Sequence, residues 1–127
     1  MQRPRDRYGR PLAMDADASL IVASVPECTH ISSAKAWAEA SKYLKEDLPF
    51  HAHEVFEQRW RSCPPQERDC WRALAQWGAA LTHLARGNAK GSREVARRAQ
   101  ELFNDCKVIT PVDSDFVNDS LAQLTSK

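Results

Sequence analysis

The sequence predicts an all-α fold, a small antiparallel bundle of about five helices built on a central helical hairpin. Apolar residues recur at spacings of three and four along most of residues 32–107. Short segments rich in proline, glycine and capping residues separate these stretches. Residues 20–23 are the one run with strand character, and no second convincing strand is available to pair with them. That run is therefore expected to pack in extended form against helices.

Length and composition suit a single globular domain, with 127 residues and 43% hydrophobic content. The formal net charge of +1 gives no overall bias toward nucleic acid or an anionic membrane, so neither is expected as a partner. No run approaches the roughly 18–20 apolar residues of a membrane span. Residues 1–7 lack the apolar core of a secretory signal, and a cytoplasmic location is predicted.

The four cysteines are Cys28, Cys63, Cys70 and Cys106. They form no C-x-x-C pair and show no disulfide-framework spacing. Without a secretory signal they are expected to stay reduced and to act as small packing residues.

Three regions are predicted along the chain. Residues 1–31 form an N-terminal arm and extended segment, residues 32–107 a helical core domain, and residues 108–127 a C-terminal helix that packs on the core. The arm places Arg3, Arg5, Arg7 and Arg10 around Tyr8, and it is expected to be a solvated or surface-draped tail.

The first two helices are bounded by clear signals. The first follows Ser32-Ser33, either of which can cap it, and ends at Asp47-Leu48-Pro49 because proline disfavours helical backbone in the preceding residue. Pro49 suits the first turn of the second helix, which ends near Arg61.

The third helix follows a proline pair and is apolar on nearly every face, which is typical of a central buried helix. The fourth helix follows Gly87-Asn88 and carries an outward basic stripe of Lys90, Arg93 and Arg97, expected to be a solvated face. After Thr110-Pro111, Asp113 is expected to cap the last helix.

A polar stripe on the second helix is the candidate functional feature. At about 100° per residue, Phe50, His53, Glu57 and Trp60 share one face, Glu54 lies at its edge, and His51 points elsewhere. If this face is inward, an imidazole and carboxylates are buried, which costs several kcal/mol unless they are paired or bound to a metal.

The third helix carries a second stripe of Arg72, Gln76 and His83, with the small residues Ala79 and Ala80 between them. The turn between the two helices is short, so they should be antiparallel neighbours with the two stripes facing each other. This packing predicts a polar pocket centred on His53, Glu57, Gln76 and His83.

Three kinds of chemistry fit this cluster. The first is a metal site made by His53, Glu57 and His83, which would take a divalent zinc, manganese or iron ion. The second is general acid–base catalysis by His53 or His83 with a neighbouring carboxylate, which makes His53, Glu54 and Glu57 the candidate catalytic residues. The third is a structural hydrogen-bond network that orients the hairpin. The candidate ligand-binding residues are Trp60, Arg72, Gln76 and His83.

Residues 34–103 resemble the family catalogued as domain-of-unknown-function family 309. The resemblance rests on the run A-H-E-V-F-E-Q-R-W-R that begins at Ala52, on Glu67-Arg68-Asp69, on Leu74, Gln76, Ala79-Ala80 and His83-Leu84, and on Arg86-Gly87-Asn88 with Gly91. It implies a small helical-hairpin bundle, mostly bacterial and archaeal members, and no established activity. A predicted metal-dependent hydrolase label accompanies the family. The matching site positions are His53, Glu54, Glu57, Trp60, Gln76 and His83.

One departure from the family pattern bears on the pocket. Members often show Gln-Gly where this chain has Arg72-Ala73, and Arg72 is positioned to form an ion pair with Glu57 or Glu54. Such a pair favours a structural network or an anionic ligand over a metal.

The expected partner is a small molecule or another protein, and a homo-oligomer is compatible with the sequence. The alternative to a ligand pocket is a protein-interaction module that uses a helical groove or the basic stripe.

Overall fold

The computed structural model describes residues 4–13, 15–107 and 111–126. Over these residues the chain is an all-α bundle, which confirms the predicted fold class; Arg3 and Thr110 lie outside the described part. Its five α-helices are α1 (Ser33–Lys45), α2 (Pro49–Ser62), α3 (Arg68–Ala85), α4 (Ala89–Asn104) and α5 (Ser114–Thr125). Two short 3₁₀ turns, Ala18–Leu20 and Pro65–Glu67, complete the described elements.

The helix ends follow the capping residues in the sequence. Ser32 caps α1 by accepting a hydrogen bond from the Lys35 N–H, and Asp113 caps α5 by accepting from the Phe116 N–H. Pro49 occupies the first turn of α2, where its missing N–H leaves no hydrogen bond unmade. These signals are local to the sequence, and the predicted starts of the three helices are confirmed.

Helix α3 is the centre of the bundle and packs mainly against α2 on one side and α4 on the other. Trp71, Leu74 and Trp77 on this helix are at most 1% exposed, which confirms the prediction of a central buried helix. The Trp77 indole N–H donates to Ser120 Oγ at 2.8 Å and so ties α3 to α5. Full burial of a large apolar side chain such as Leu74 contributes roughly 1.5–3 kcal/mol of hydrophobic stabilisation.

The cysteine prediction is wrong for one pair, because Cys70 and Cys106 form a disulfide with their Cα atoms 5.5 Å apart. The pairing follows from the fold: α3 and α4 are joined by a short turn, so the start of α3 meets the end of α4. Cys28 and Cys63 are free. Cys70 and Cys106 are 36 residues apart in the sequence, and this spacing matches no pattern from which the disulfide could be predicted.

The N-terminal arm lies on the surface and is fastened there by hydrogen bonds. Arg86 Nε donates to the Tyr8 carbonyl oxygen at 2.9 Å, and Arg7 Nη2 donates to the Glu46 carbonyl oxygen at 2.8 Å. Gly9 lies directly on the Phe50 ring, where a Cβ atom would be 2.3 Å from Phe50 Cγ. The arm therefore covers the end of the α2–α3 hairpin. No helix among the described residues is both long and apolar enough to cross a membrane.

Candidate functional site

The buried face of α2 differs from the predicted one. Ala52, Val55 and Phe56 are fully buried, whereas the side chains of His53 and Glu57 are 23% and 35% exposed. The prediction that His53 and Glu57 face the core is therefore wrong; they lie at the margin of the α2–α3 contact. The reason is energetic, since burying the apolar face gains hydrophobic stabilisation and leaves the charged groups partly hydrated.

The His53 backbone lies close against α3 at Gly78. A Cβ atom at Gly78 would be 2.8 Å from the His53 Cα atom, so only glycine allows this backbone separation. The His53 ring spans the contact: Nδ1 is 2.7 Å from the Ala75 carbonyl oxygen, and Nε2 is 3.0 Å from Glu57 Oε1. Because a carbonyl oxygen can only accept, Nδ1 carries a proton and donates it.

The surroundings of His53 favour its charged form. Burial disfavours the imidazolium, but the hydrogen bonds to Glu57 and Ala75 and the charges of Glu57 and Glu54 outweigh it, so the pKa of His53 is raised. The hydrogen bond from His53 lowers the pKa of Glu57, against the opposing effect of burial. The two groups therefore form a hydrogen-bonded ion pair across one helical turn.

This pairing leaves His53 with no free ring nitrogen. One nitrogen donates to the backbone of α3 and the other to Glu57. A general base needs an unoccupied lone pair within reach of the substrate proton. In this arrangement His53 joins α2 to α3 and supplies positive charge, and it does not present a base.

His83 is oriented by the cap of the next helix. Asn88 Oδ1 accepts from the Gly91 N–H at 2.9 Å, so its amide nitrogen faces His83 Nδ1 at 3.2 Å. An amide nitrogen can only donate, and His83 Nδ1 therefore accepts. In the neutral ring the proton must then be on Nε2, which is left as a donor.

His53 and His83 line one pocket, and Glu57 and Gln76 of the predicted set are not in its lining. The pocket has a volume of about 180 Å³ and is lined by Phe50, His53, Ala79, Thr82, His83 and Arg86. Arg86 uses Nε for the Tyr8 carbonyl, and its terminal nitrogens form no hydrogen bond with the described residues. No carboxylate lines this pocket, and two imidazoles and a guanidinium do. Arg86 therefore supplies the one charge in this lining that no described carboxylate pairs with.

Glu54 faces a different cavity. It lines a space of about 240 Å³ between α2 and the N-terminal segment, together with Arg5 and His51. Burial raises the pKa of Glu54, and the nearby charges of His51, His53 and Arg5 oppose this effect. The structure thus separates Glu54 from the pocket that His53 shares with His83.

The remaining predicted ligand-binding residues do not line the His53–His83 pocket. Arg72 is exposed and forms no ion pair with Glu57, Glu54 or any other described residue. Trp60 Nε1 and Gln76 Oε1 are shielded from solvent and have no hydrogen-bond partner among the described residues. Glu57 is instead paired with His53 on its own helix.

Sequence reasoning missed three features. His51 is 3% exposed, and its Nε2 donates to the Ala23 carbonyl oxygen at 2.6 Å. Arg59 and Glu67 form an ion pair at 3.2 Å, and the Trp71 indole N–H donates to the same carboxylate at 2.9 Å. The Glu67–Trp71 spacing of four residues is the signal that pointed to this contact. The third feature is Arg86, whose guanidinium lines the pocket and which the sequence offers only as part of the family motif Arg86-Gly87-Asn88.

The three proposed metal ligands are not assembled into one centre. His53 and Glu57 are adjacent and His83 shares a pocket with His53, yet no group of three His, Cys, Asp or Glu residues in the described part of the chain is placed to hold a metal ion. The metal-site prediction is therefore not confirmed. His53 and Glu57 are hydrogen-bonded to each other, and two such side chains are fewer than the three or four protein ligands that a zinc site normally has.

Fold and site together define a small helical-hairpin domain with a polar pocket at the edge of the hairpin. Residues 37–95, which include α2, α3 and the start of α4, match the family model described as Domain of unknown function (DUF309). The match covers 59 of the 127 residues and supports the family resemblance predicted from the sequence. Neither a curated protein nor a solved structure matches the chain.

Proposed function

We propose that this protein is a binding domain rather than a hydrolase, and that it holds a small anion in the pocket between His53 and His83. The observation that carries the proposal is the lining of the pocket, in which His53, His83 and Arg86 meet without a carboxylate. Phosphate, sulfate and small carboxylates are the ligands that such donors bind.

Each group in the pocket has a defined part in this proposal. Arg86 offers its terminal N–H groups, and His83 offers Nε2–H, because Asn88 holds its other nitrogen. His53 contributes charge without a direct hydrogen bond, since both of its nitrogens are engaged. Because both ring nitrogens of His53 already form hydrogen bonds, His53 is a poor candidate for acid–base catalysis.

The proposal is tested by thermal unfolding with phosphate, sulfate or acetate added at constant ionic strength. A ligand that binds only the folded chain raises Tm in a saturable way. We expect saturation with at least one of these anions for the wild type, and a lost or strongly reduced response for Arg86→Gln and for His83→Ala. Each variant is compared with its own ligand-free Tm, so a change in basal stability does not affect the comparison.

Arg72→Gln is the matched control, because Arg72 lies on the same helix and is exposed outside the pocket. Its response should equal that of the wild type. Equal losses in Arg72→Gln and Arg86→Gln, or no saturable response to any of the three anions, would contradict the proposal.

The metal-binding version of the site predicts a different result. Protein purified without a histidine tag would then show a saturable rise in Tm with zinc, manganese or iron, and Glu57→Gln would abolish it. That outcome, together with no response to anions, would replace the anion proposal with a metal site on His53 and Glu57.

A further inference from the structure

An apolar groove runs between α1 and α5, with α3 as its floor. It consists of two adjoining pockets of about 660 Å³ and 380 Å³, which share Leu44 and Phe116. Trp37 from α1 and Leu81 and Leu84 from α3 extend the apolar lining. This groove shares no side chain with the His53–His83 pocket.

The groove leaves large apolar side chains in water. Phe116 is 53% exposed and Leu84 is 49% exposed, and both belong to the groove lining. Phe116 is held in place by an edge-to-face contact with Trp77, with ring centroids 5.9 Å apart. A contiguous exposed apolar surface rimmed by polar residues is typical of a protein–protein contact.

The two rims of the groove carry opposite charge. On the α1 side, Lys42 and Lys45 line the groove, are exposed and form no ion pair with the described residues. On the α5 side, Asp113 lines the groove, and Asp115 and Asp119 lie just outside its lining, one and three residues from Phe116, and are exposed. Asp47, after the end of α1, also lines the groove, but its carboxylate accepts a hydrogen bond from Tyr8 Oη at 2.7 Å, and Glu39 and Glu46 are not in the lining.

We propose that a second copy of this chain covers the groove in a two-fold symmetric dimer. A two-fold axis that runs along the groove places α1 of each copy opposite α5 of the other. Lys42 and Lys45 of one copy then meet Asp115 and Asp119 of the other, and the Phe116 rings lie in the apolar centre. A uniformly acidic or uniformly basic peptide would instead meet one rim of like charge.

A local explanation of the same charges makes a different prediction. Lys42 and Lys45 lie in the last turn of α1 and Asp115 in the first turn of α5, where they also offset the helix dipoles. If that were their whole role, reversing them would lower the stability of the monomer. It would not change the association of two chains.

Sedimentation equilibrium of the full chain over a wide concentration range distinguishes the two explanations. The wild type should dimerise. Both Lys42→Glu/Lys45→Glu and Asp115→Lys/Asp119→Lys should raise the dimer dissociation constant by about 100-fold or more, because each makes the facing rims alike in charge. An equimolar mixture of the two variants should dimerise again. Each variant's circular dichroism spectrum is recorded to show that it is folded.

The control is the double variant Lys90→Glu/Arg97→Glu, because both residues lie on α4 outside the groove. This variant should dimerise like the wild type. Phe116→Ser, which removes the apolar centre and keeps both rims, should also weaken the dimer. A wild type that stays monomeric at every concentration, a mixture that stays monomeric, or an equal loss in the α4 control overturns the proposal.

Discussion

Helix α3 contacts its surroundings in two different ways. Toward α2 the contact is closed: Gly78 lets the backbones approach, and His53 is bonded to the carbonyl oxygen of Ala75 and to Glu57. Toward the α1–α5 groove the surface is open, and Leu84 remains half exposed. The polar groups at the α2–α3 contact have hydrogen-bond partners within the chain, whereas the apolar side chains of the groove remain partly exposed to solvent.

The difference separates the residues that hold the hairpin together from those available to something else. A group whose partners all lie within the chain gains little from an added ligand. The terminal nitrogens of Arg86, whose guanidinium lies over the Phe50 ring, and the Nε2–H of His83 have no hydrogen-bond partner in the described structure, and the lining of the apolar groove is partly exposed. The functional hypotheses therefore rest on these groups rather than on the His53–Glu57 pair.

The largest expected effect compares two leucines on α3. Leu74→Ala should lower the free energy of unfolding by about 2–5 kcal/mol, because Leu74 is fully buried and its removal leaves a cavity. Leu84→Ala should lower it by less than about 1 kcal/mol, since Leu84 is 49% exposed. Urea denaturation at low protein concentration measures both.

Equal losses for the two leucines would mean that the groove is closed in solution. In that case the description of an open apolar surface next to α3 would be wrong, and the dimer proposal would lose its structural basis.

The next effect tests the closed contact. Gly78→Ala should lower the free energy of unfolding by about 1–3 kcal/mol, because the added Cβ meets the His53 backbone at 2.8 Å and α2 must move. Helix propensity alone predicts the opposite sign, a gain of about 1 kcal/mol for replacing glycine with alanine. The sign measured by thermal or urea unfolding therefore decides between the two.

The smallest effect concerns the His53–Glu57 ion pair. Glu57→Gln should lower the free energy of unfolding by about 0.5–1 kcal/mol, a modest value because Glu57 is 35% exposed. The pKa of His53 is raised in the fold, so its contribution is present at low pH and is lost as pH rises through that pKa. The pKa of Glu57 is lowered, so its contribution is lost as pH falls.

The cost of Glu57→Gln should therefore be largest between roughly pH 4.5 and pH 6.5, the interval between the ordinary pKa values of the two groups. Glu101→Gln on the exposed surface of α4 serves as the control and should show no such pH dependence. A cost that does not vary with pH would mean that the two side chains are not paired in solution.

The fold could be predicted from the sequence because its signals are local. Ser32, Pro49 and Asp113 mark helix starts through contacts within one turn, and the apolar content of α3 predicts its burial. The pairing of Cys70 with Cys106 could not be predicted, because it depends on how two helices pack across 36 residues.

The site was predictable only in part for a similar reason. Helical spacing placed His53 and Glu57 on one face, and their contact in the structure agrees with it. It could not give the rotation of α2, which is set by the burial of Ala52, Val55 and Phe56. Nor could it show that Arg86 lines the same pocket as His53 and His83 while Arg72 does not.

The most direct test of the anion site is a titration of the histidine ring signals by ¹H–¹⁵N NMR. The chain has four histidines, His30, His51, His53 and His83, so each ring can be followed separately. Without ligand, His83 should be protonated on Nε2, and His53 on both nitrogens below its raised pKa. Adding phosphate at constant ionic strength should shift the signals of His83 and His53 in a saturable way and leave those of His30 and His51 unchanged. The titration is repeated with sulfate and with acetate; equal shifts in all four rings, or no shift in His83 with any of the three anions, would contradict the proposed function.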